Sequence, residues 1–216
     1  MSLGRFIVIE GTDGAGTTTL AGKLGEHCRN ARIPVHVTAQ PSGGPVGAMI
    51  RQILSHRLVV HTDFGPRAPG WGTMGLLFAA DRLDHLEAEI LPMLRDGVTV
   101  ICDRYDLSSL AYQSATSSDD PAEVEKAITW LRQINAHALR PDLTIVLDCP
   151  FEVAAKRRRA RAKSAELYDD AEVQHRLIEA YAKAEQLVPG DKVAHLDASR
   201  EADEVLADAV RLIEAI

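Results

Sequence analysis

The chain has 216 residues, 46% hydrophobic and 25% charged, which suits one large α/β domain, or two small ones, with a sizeable core. A formal net charge of -7 weighs against a general nucleic-acid binder. Cys28, Cys102 and Cys149 lack metal-ligand spacing and read as buried structural thiols. With no leader pattern and no apolar run of membrane length, a cytoplasmic location without a membrane partner is expected.

In chain order, FIVIE at 6–10 is an apolar run of strand length. It enters GTDGAGTTTL at 11–20, after which Leu20 and Leu24 share a face of a helix predicted over 18–29. Further strands are predicted at 34–38, 98–103, 143–148 and 192–197, and further helices over 45–55, 74–94, 121–136, 151–162, 171–187 and 201–216. The Pro- and Gly-rich stretch at 59–72 is expected to be a long surface loop. Strands rich in β-branched residues, alternating with helices, predict a doubly wound five-stranded parallel sheet covered on both faces, with ligands at the carboxyl ends of the strands. The whole span 1–216 is expected to form a single domain.

The stretch Gly11-Thr12-Asp13-Gly14-Ala15-Gly16-Thr17-Thr18 has the glycines of a phosphate-binding loop in the strand–loop–helix context that such a loop needs. Its amides can converge on an anion, and the Thr18 hydroxyl holds the position that ligates magnesium. Thr17 stands where the loop normally carries lysine, so the usual contact with β- and γ-phosphates is missing. Either another cation enters, or backbone amides and magnesium hold the anion more weakly, or phosphoryl transfer is lost. Lys23 lies about 9 Å down the helix axis. The arginines of KRRRARAK, Lys156 to Lys163, are better placed to face polyanionic phosphates. At the end of the third predicted strand, Asp103 can hold magnesium and Arg104 can grip a phosphate in bidentate fashion.

Taken together, residues 6–20, LLFAADR (76–82), ICDRYDLSSLAYQ (101–113), LDCPFEVAAKRRRAR (147–161) and LDASR (196–200) resemble the thymidylate kinase family, in family order and over nearly the whole chain. The resemblance implies a P-loop nucleoside monophosphate kinase fold, a lid at about 156–170, and transfer of phosphate from ATP to dTMP with Mg2+. It implies that Gly11, Asp13, Gly14, Ala15, Gly16, Thr17, Thr18 and Thr19 bind the donor, with Asp13 also contacting the acceptor side and Thr18 and Asp103 holding the metal. On the acceptor side it implies that Phe78 stacks on thymine, Arg82 reaches the base, Arg104 holds the acceptor phosphate, and Tyr112 lies under the sugar. Ser109 and Gln113, four apart, can bond to a pyrimidine edge.

Three departures stand out. TAQPSGGPVGA at 38–48 has Ala39, Gln40 and Ala48 where bacterial members usually carry arginine, glutamate and glutamate, so Gln40 brings no charge to the acceptor side. In the lid, Glu166-Leu167-Tyr168-Asp169 has Leu167 in the arginine position, while Arg157, Arg159 and Arg161 remain. The third departure is Thr17, for which Arg157 or Arg161 is the expected catalytic substitute. A homodimer is also expected by resemblance, with the helix over 74–94 contributing. The other readings are a kinase for a different deoxynucleoside monophosphate and a non-catalytic nucleotide-binding regulator, the latter motivated by Thr17 alone.

Overall fold

The computed structural model describes residues 3–161, 167–168 and 170–216, the side chain of Arg161 excepted. Five strands form a parallel sheet: β1 (Phe6–Gly11), β2 (Val35–Ala39), β5 (Thr99–Asp103), β6 (Leu143–Asp148) and β7 (Val193–Asp197), while β3 (Val60–Thr62) and β4 (Gly65–Arg67) make a separate antiparallel hairpin. The strand order is β2-β5-β1-β6-β7. β1 is central and buried on both faces, with Ile7 and Ile9 in one apolar layer and Phe6 and Val8 in the other. That explains an uninterrupted apolar run where a half-exposed strand would alternate with polar residues.

The helices are α1 (Thr17–Asn30), α2 (Pro45–Leu54), α3 (Trp71–His85), α4 (Leu91–Arg95), α5 (Asp106–Ala115), α6 (Pro121–Ile134), α7 (Phe151–Arg161), α8 (Ala171–Tyr181), α9 (Ala184–Leu187) and α10 (Ala202–Glu214). Leu20 and Leu24 of α1 and Val205 and Ala209 of α10 cover the Ile7/Ile9 layer. On the opposite side, Leu86, Ile90 and Leu94 pack with Phe6 and Val8, and Leu110, Leu131, Leu177 and Tyr181 pack with Val146. Cys28, Cys102 and Cys149 are buried and unpaired.

The structure revises four details of the predicted elements. The helix predicted over 74–94 begins at Trp71 and passes through a π-turn, Leu86–Ile90, just before Pro92, which brings no N–H to the hydrogen-bond ladder. The expected loop at 59–72 contains the β3–β4 hairpin, turned through Gly65 at φ 103° and tied by Thr62 Oγ1 donating to Gly65 O at 2.8 Å. The predicted helix over 171–187 breaks after Tyr181 into α8 and α9. Helix α5 was absent from the pattern because nine of its ten residues are buried, leaving no polar stripe to reveal a helical period.

Candidate active site

Register sets the site. β1 and β5 pair with Ile9 opposite Asp103, and β1 and β6 pair with Gly11 opposite Leu147, so the phosphate loop and the Asp103–Arg104 corner emerge side by side. Between them opens a cavity of about 470 Å³. Its walls come from the loop, the β5 corner, α3, α5, Gln40 and the lid residues Leu167 and Tyr168.

The loop closes through Ala15 N–H donating to Thr12 O at 3.0 Å. Gly16, at φ 105°, begins α1, whose ladder starts with Leu20 N–H to Gly16 O at 2.9 Å. The first-turn amides are therefore available to an anion, reinforced by the positive end of the helix. Asp13, Gly14, Gly16, Thr17, Thr18 and Thr19 line the cavity; Ala15 faces a smaller recess, and Gly11 lies beneath, at the end of β1. Gly14 is required by space as well as conformation: at φ 87°, an added Cβ would lie 2.4 Å from Ala154 O of α7.

Thr18 Oγ1 donates to Asp103 Oδ2 at 2.5 Å, and Asp103 Oδ1 is buried without a partner among the described residues. A hydroxyl and a carboxylate with one unspent oxygen fit a magnesium ion that keeps waters and phosphate oxygens as its other ligands. Among the described residues no cluster of three or more His, Cys, Asp or Glu could hold a metal.

Arg104 occupies the corner in a left-handed conformation, φ 71°, which costs a non-glycine residue about 1–3 kcal/mol. Its N–H donates to Ile9 O at 2.8 Å, Nη2 donates to Asp13 Oδ1 at 2.7 Å, and Nη1 reaches Ser108 Oγ and Tyr181 Oη, both at 3.2 Å. The guanidinium also lies 5.2 Å over the Tyr112 ring. One half-buried cation thus links the phosphate loop to α5 and α8.

Phe78, Ser109, Tyr112, Gln113 and Gln40 all line the cavity. The Tyr112 hydroxyl and the Oε1 atoms of Gln113 and Gln40 are buried and lack hydrogen-bond partners among the described residues, as expected of atoms that await a polar ligand. In place of the direct reach expected of it, Arg82 sits behind the wall, 1% exposed. Its Nη1 donates to Phe78 O and Asn135 Oδ1, and its Nη2 to Tyr105 O and Ser109 Oγ, so it acts on the cavity through Ser109.

On the lid side, Arg157 lines the cavity and donates to Ala15 O at 3.3 Å and Ala198 O at 2.9 Å. Arg159 is exposed. The Arg161 side chain, residues 162–166 and Asp169 lie outside the described residues, so the expected role of Arg161 has no geometry here. Lys23 is committed to Asp203 at 2.7 Å. Leu167, in the expected arginine position, donates its N–H to Leu54 O at 3.2 Å and contributes apolar surface.

Sequence reasoning passed over several partners. Arg158 Nη1 donates to Asp13 O at 2.7 Å and to Gln174 Oε1 at 3.0 Å, while Gln174 Nε2 donates to Tyr168 O at 2.8 Å. Tyr168 accepts from Gln113 Nε2 at 3.2 Å and meets Tyr112 edge to face at 5.0 Å; burial pushes its hydroxyl pKa up to about 12. Arg158 was visible only as one arginine among several, and Gln174 carried no signal.

A parallel sheet with a phosphate loop after its first strand, an acidic strand end beside it and an arginine-bearing helix, α7, facing the loop defines a P-loop protein of the nucleoside monophosphate kinase type. Comparison with known proteins narrows this class. The family model for thymidylate kinase matches residues 9–209. A probable thymidylate kinase of Pyrococcus horikoshii is 36% identical over 98% of this chain and 96% of its own length, and one of Pyrobaculum calidifontis is 38% identical over 97% and 95%. The structure of a Candida albicans thymidylate kinase superposes with a TM-score of 0.82 at 23% identity, over 100% of this chain and 93% of that one, a likeness of fold. The chain belongs to the thymidylate kinase family.

Proposed function

We propose that the protein transfers the γ-phosphoryl group of ATP to dTMP, giving dTDP and ADP, with Mg2+. The observation that carries this reading is Arg104, whose guanidinium joins Asp13 of the phosphate loop to an acceptor wall containing Phe78 and Tyr112. Phosphoryl transfer needs alignment and charge neutralisation more than covalent chemistry from the protein. The acceptor oxygen is already an anion at neutral pH, so no general base is needed. Arg104 holds the acceptor phosphate, the first-turn amides of α1 hold the donor phosphates, and Thr18 and Asp103 would hold a magnesium ion, which would supply charge neutralisation at the transferred group.

On the far side of the loop a recess of about 210 Å³, bordered by Lys23, Leu147, Arg157, Ala198 and Arg200, suits the nucleoside end of the donor. Arg157 stands between this recess and the main cavity. Its ties to Ala15 O and Ala198 O are to neutral carbonyls, which a phosphate can displace, and it is therefore the described lid cation best placed to compensate for Thr17. Phe78 gives the base a stacking face, and the unspent oxygens of Gln40 and Gln113 accept from its polar edge.

A homodimer in the cytoplasm is part of this reading. Most of the apolar face of α3 points inward, but Leu76 on α3 and Met49 on α2 are exposed at 53% and 44% and suit a contact between copies; a constant monomer mass in light scattering across protein concentrations would exclude it. Acceptor choice is tested by comparing dTMP, dUMP, dCMP and the ribonucleotide of thymine with Mg-ATP. dTMP is expected to give the highest kcat/KM, and a higher value for another monophosphate would reassign the acceptor.

A further inference from the structure

Glu10, the last side chain of β1 before the loop, is 0% exposed and lies outside the cavity lining. Its Oε1 accepts from the backbone N–H of Tyr105 at 2.7 Å and of Ser108 at 3.1 Å, while Oε2 accepts from Ser108 Oγ at 2.6 Å and Tyr181 Oη at 3.2 Å. The same two hydroxyls receive Nη1 of Arg104, each at 3.2 Å. A hydroxyl has one proton. When Ser108 and Tyr181 turn their protons toward Glu10, or Tyr181 turns its proton toward Ser108 Oγ at 2.9 Å, their lone pairs are left to Arg104.

We infer that Glu10 is a positioning residue for acceptor-phosphate binding: through Ser108 and Tyr181 it pins Nη1 of Arg104, leaving Nη2 free to exchange Asp13 for the acceptor phosphate. This rests on the acceptor-site reading above. The division of labour follows from the contacts. Nη2 is bound to a partly exposed carboxylate, with the Asp13 side chain 24% accessible, and such a bond can be traded for a phosphate oxygen. Nη1 is bound to Ser108, half-buried at the cavity wall, and to buried Tyr181, and has no alternative partner among the described residues. Glu10 also fixes the backbone that carries Arg104, because its two main-chain donors belong to the turn immediately after that strained residue.

Glu10→Gln keeps the shape and reverses one end of the polarity. With the amide nitrogen toward Ser108 and Tyr181, it donates into the lone pairs that Arg104 uses; with the nitrogen toward the backbone, it opposes two N–H donors. Tyr181→Phe removes one relay hydroxyl and leaves Glu10 in place. Calorimetric binding of dTMP and of thymidine, which lacks the phosphate, separates positioning from general damage. Each variant is expected to lose about tenfold in dTMP affinity, a charge-assisted hydrogen bond's worth, with thymidine affinity unchanged and the double variant no worse than the weaker single. Equal losses for both ligands, strictly additive losses, or no loss in dTMP affinity would overturn the inference. If Glu10→Gln does not fold, the same comparison on Tyr181→Phe decides it. A wild-type protein that binds dTMP no better than thymidine would instead overturn the acceptor-site reading, and the inference with it.

Discussion

The two sides of the cavity hold their cations in different ways. On the acceptor side, Arg104 is surrounded by side chains, with Asp13, Ser108 and Tyr181 as hydrogen-bond partners and Tyr112 beneath it. On the lid side, Arg157 leans on two main-chain carbonyls, Ala15 O and Ala198 O. A guanidinium held at one edge by hydroxyls that are tied to buried Glu10 is oriented before any ligand arrives, whereas one resting on neutral carbonyls gains by moving to a phosphate. Arg157 can thus turn wholly toward a phosphate, whereas Arg104 can exchange only its Nη2 contact with Asp13.

The sharpest way to break this contrast is at Arg104. Arg104→Ala is expected to lower kcat/KM for dTMP by about 100-fold or more, the scale of removing an aligned charge donor, and Arg104→Lys should recover little because a point charge cannot span Asp13 and the Ser108–Tyr181 pair at once. Near-native kcat in steady-state assays would remove Arg104 from the site. Arg157→Ala should reduce kcat by roughly tenfold with little change in Tm, since an exposed lid residue contributes little to the core. Thr17→Lys should partly rescue that variant, and the two changes should be non-additive in kcat/KM. Strict additivity would mean that Arg157 and the loop position do not serve one charge.

Phe78→Ala should weaken dTMP binding about fivefold while leaving turnover of bound dTMP nearly unchanged, as loss of a stacking face predicts. An unchanged Kd would take the base off this ring. The smallest expected effect is on the pH dependence of stability and comes from Glu10, whose pKa is raised by burial above its ordinary 4.5. A carboxyl with a raised folded-state pKa binds its proton more tightly when folded, so its contribution to stability is complete below the unfolded value and is lost as pH rises through the folded one. The Tm of Glu10→Gln minus that of the wild type should therefore become more positive from pH 4 toward pH 8, and a flat difference would contradict a costly buried charge.

What could be read from sequence follows the same division. The inner strands β1, β5 and β6 were legible because they are buried on both faces and so write continuous apolar runs, and the loop was legible because Gly14 and Gly16 meet conformational demands that other residues do not. Asp103 and Arg104 were legible as the polar end of such a run. Glu10 ended a run in the same way, yet its partners Ser108 and Tyr181 lie 98 and 171 residues away, and no local pattern records that meeting. Arg82 shows the converse: its pairing with Phe78 on one helix face was visible, but its burial against Asn135 and Tyr105 depends on how α6 and the β5 corner pack. The β3–β4 hairpin, three residues a side, is too short to show an alternating period.

The central claim is that a phosphate loop with Thr17 in place of lysine still transfers phosphate. The most direct measurement incubates the purified wild-type protein with dTMP, Mg2+ and ATP carrying a labelled γ-phosphate, and follows the label. Movement of the label into dTDP, in step with ADP formation and abolished by Arg104→Ala, is the predicted result. Binding of both nucleotides with no labelled dTDP would contradict the claim and identify the protein as a nucleotide binder without transfer.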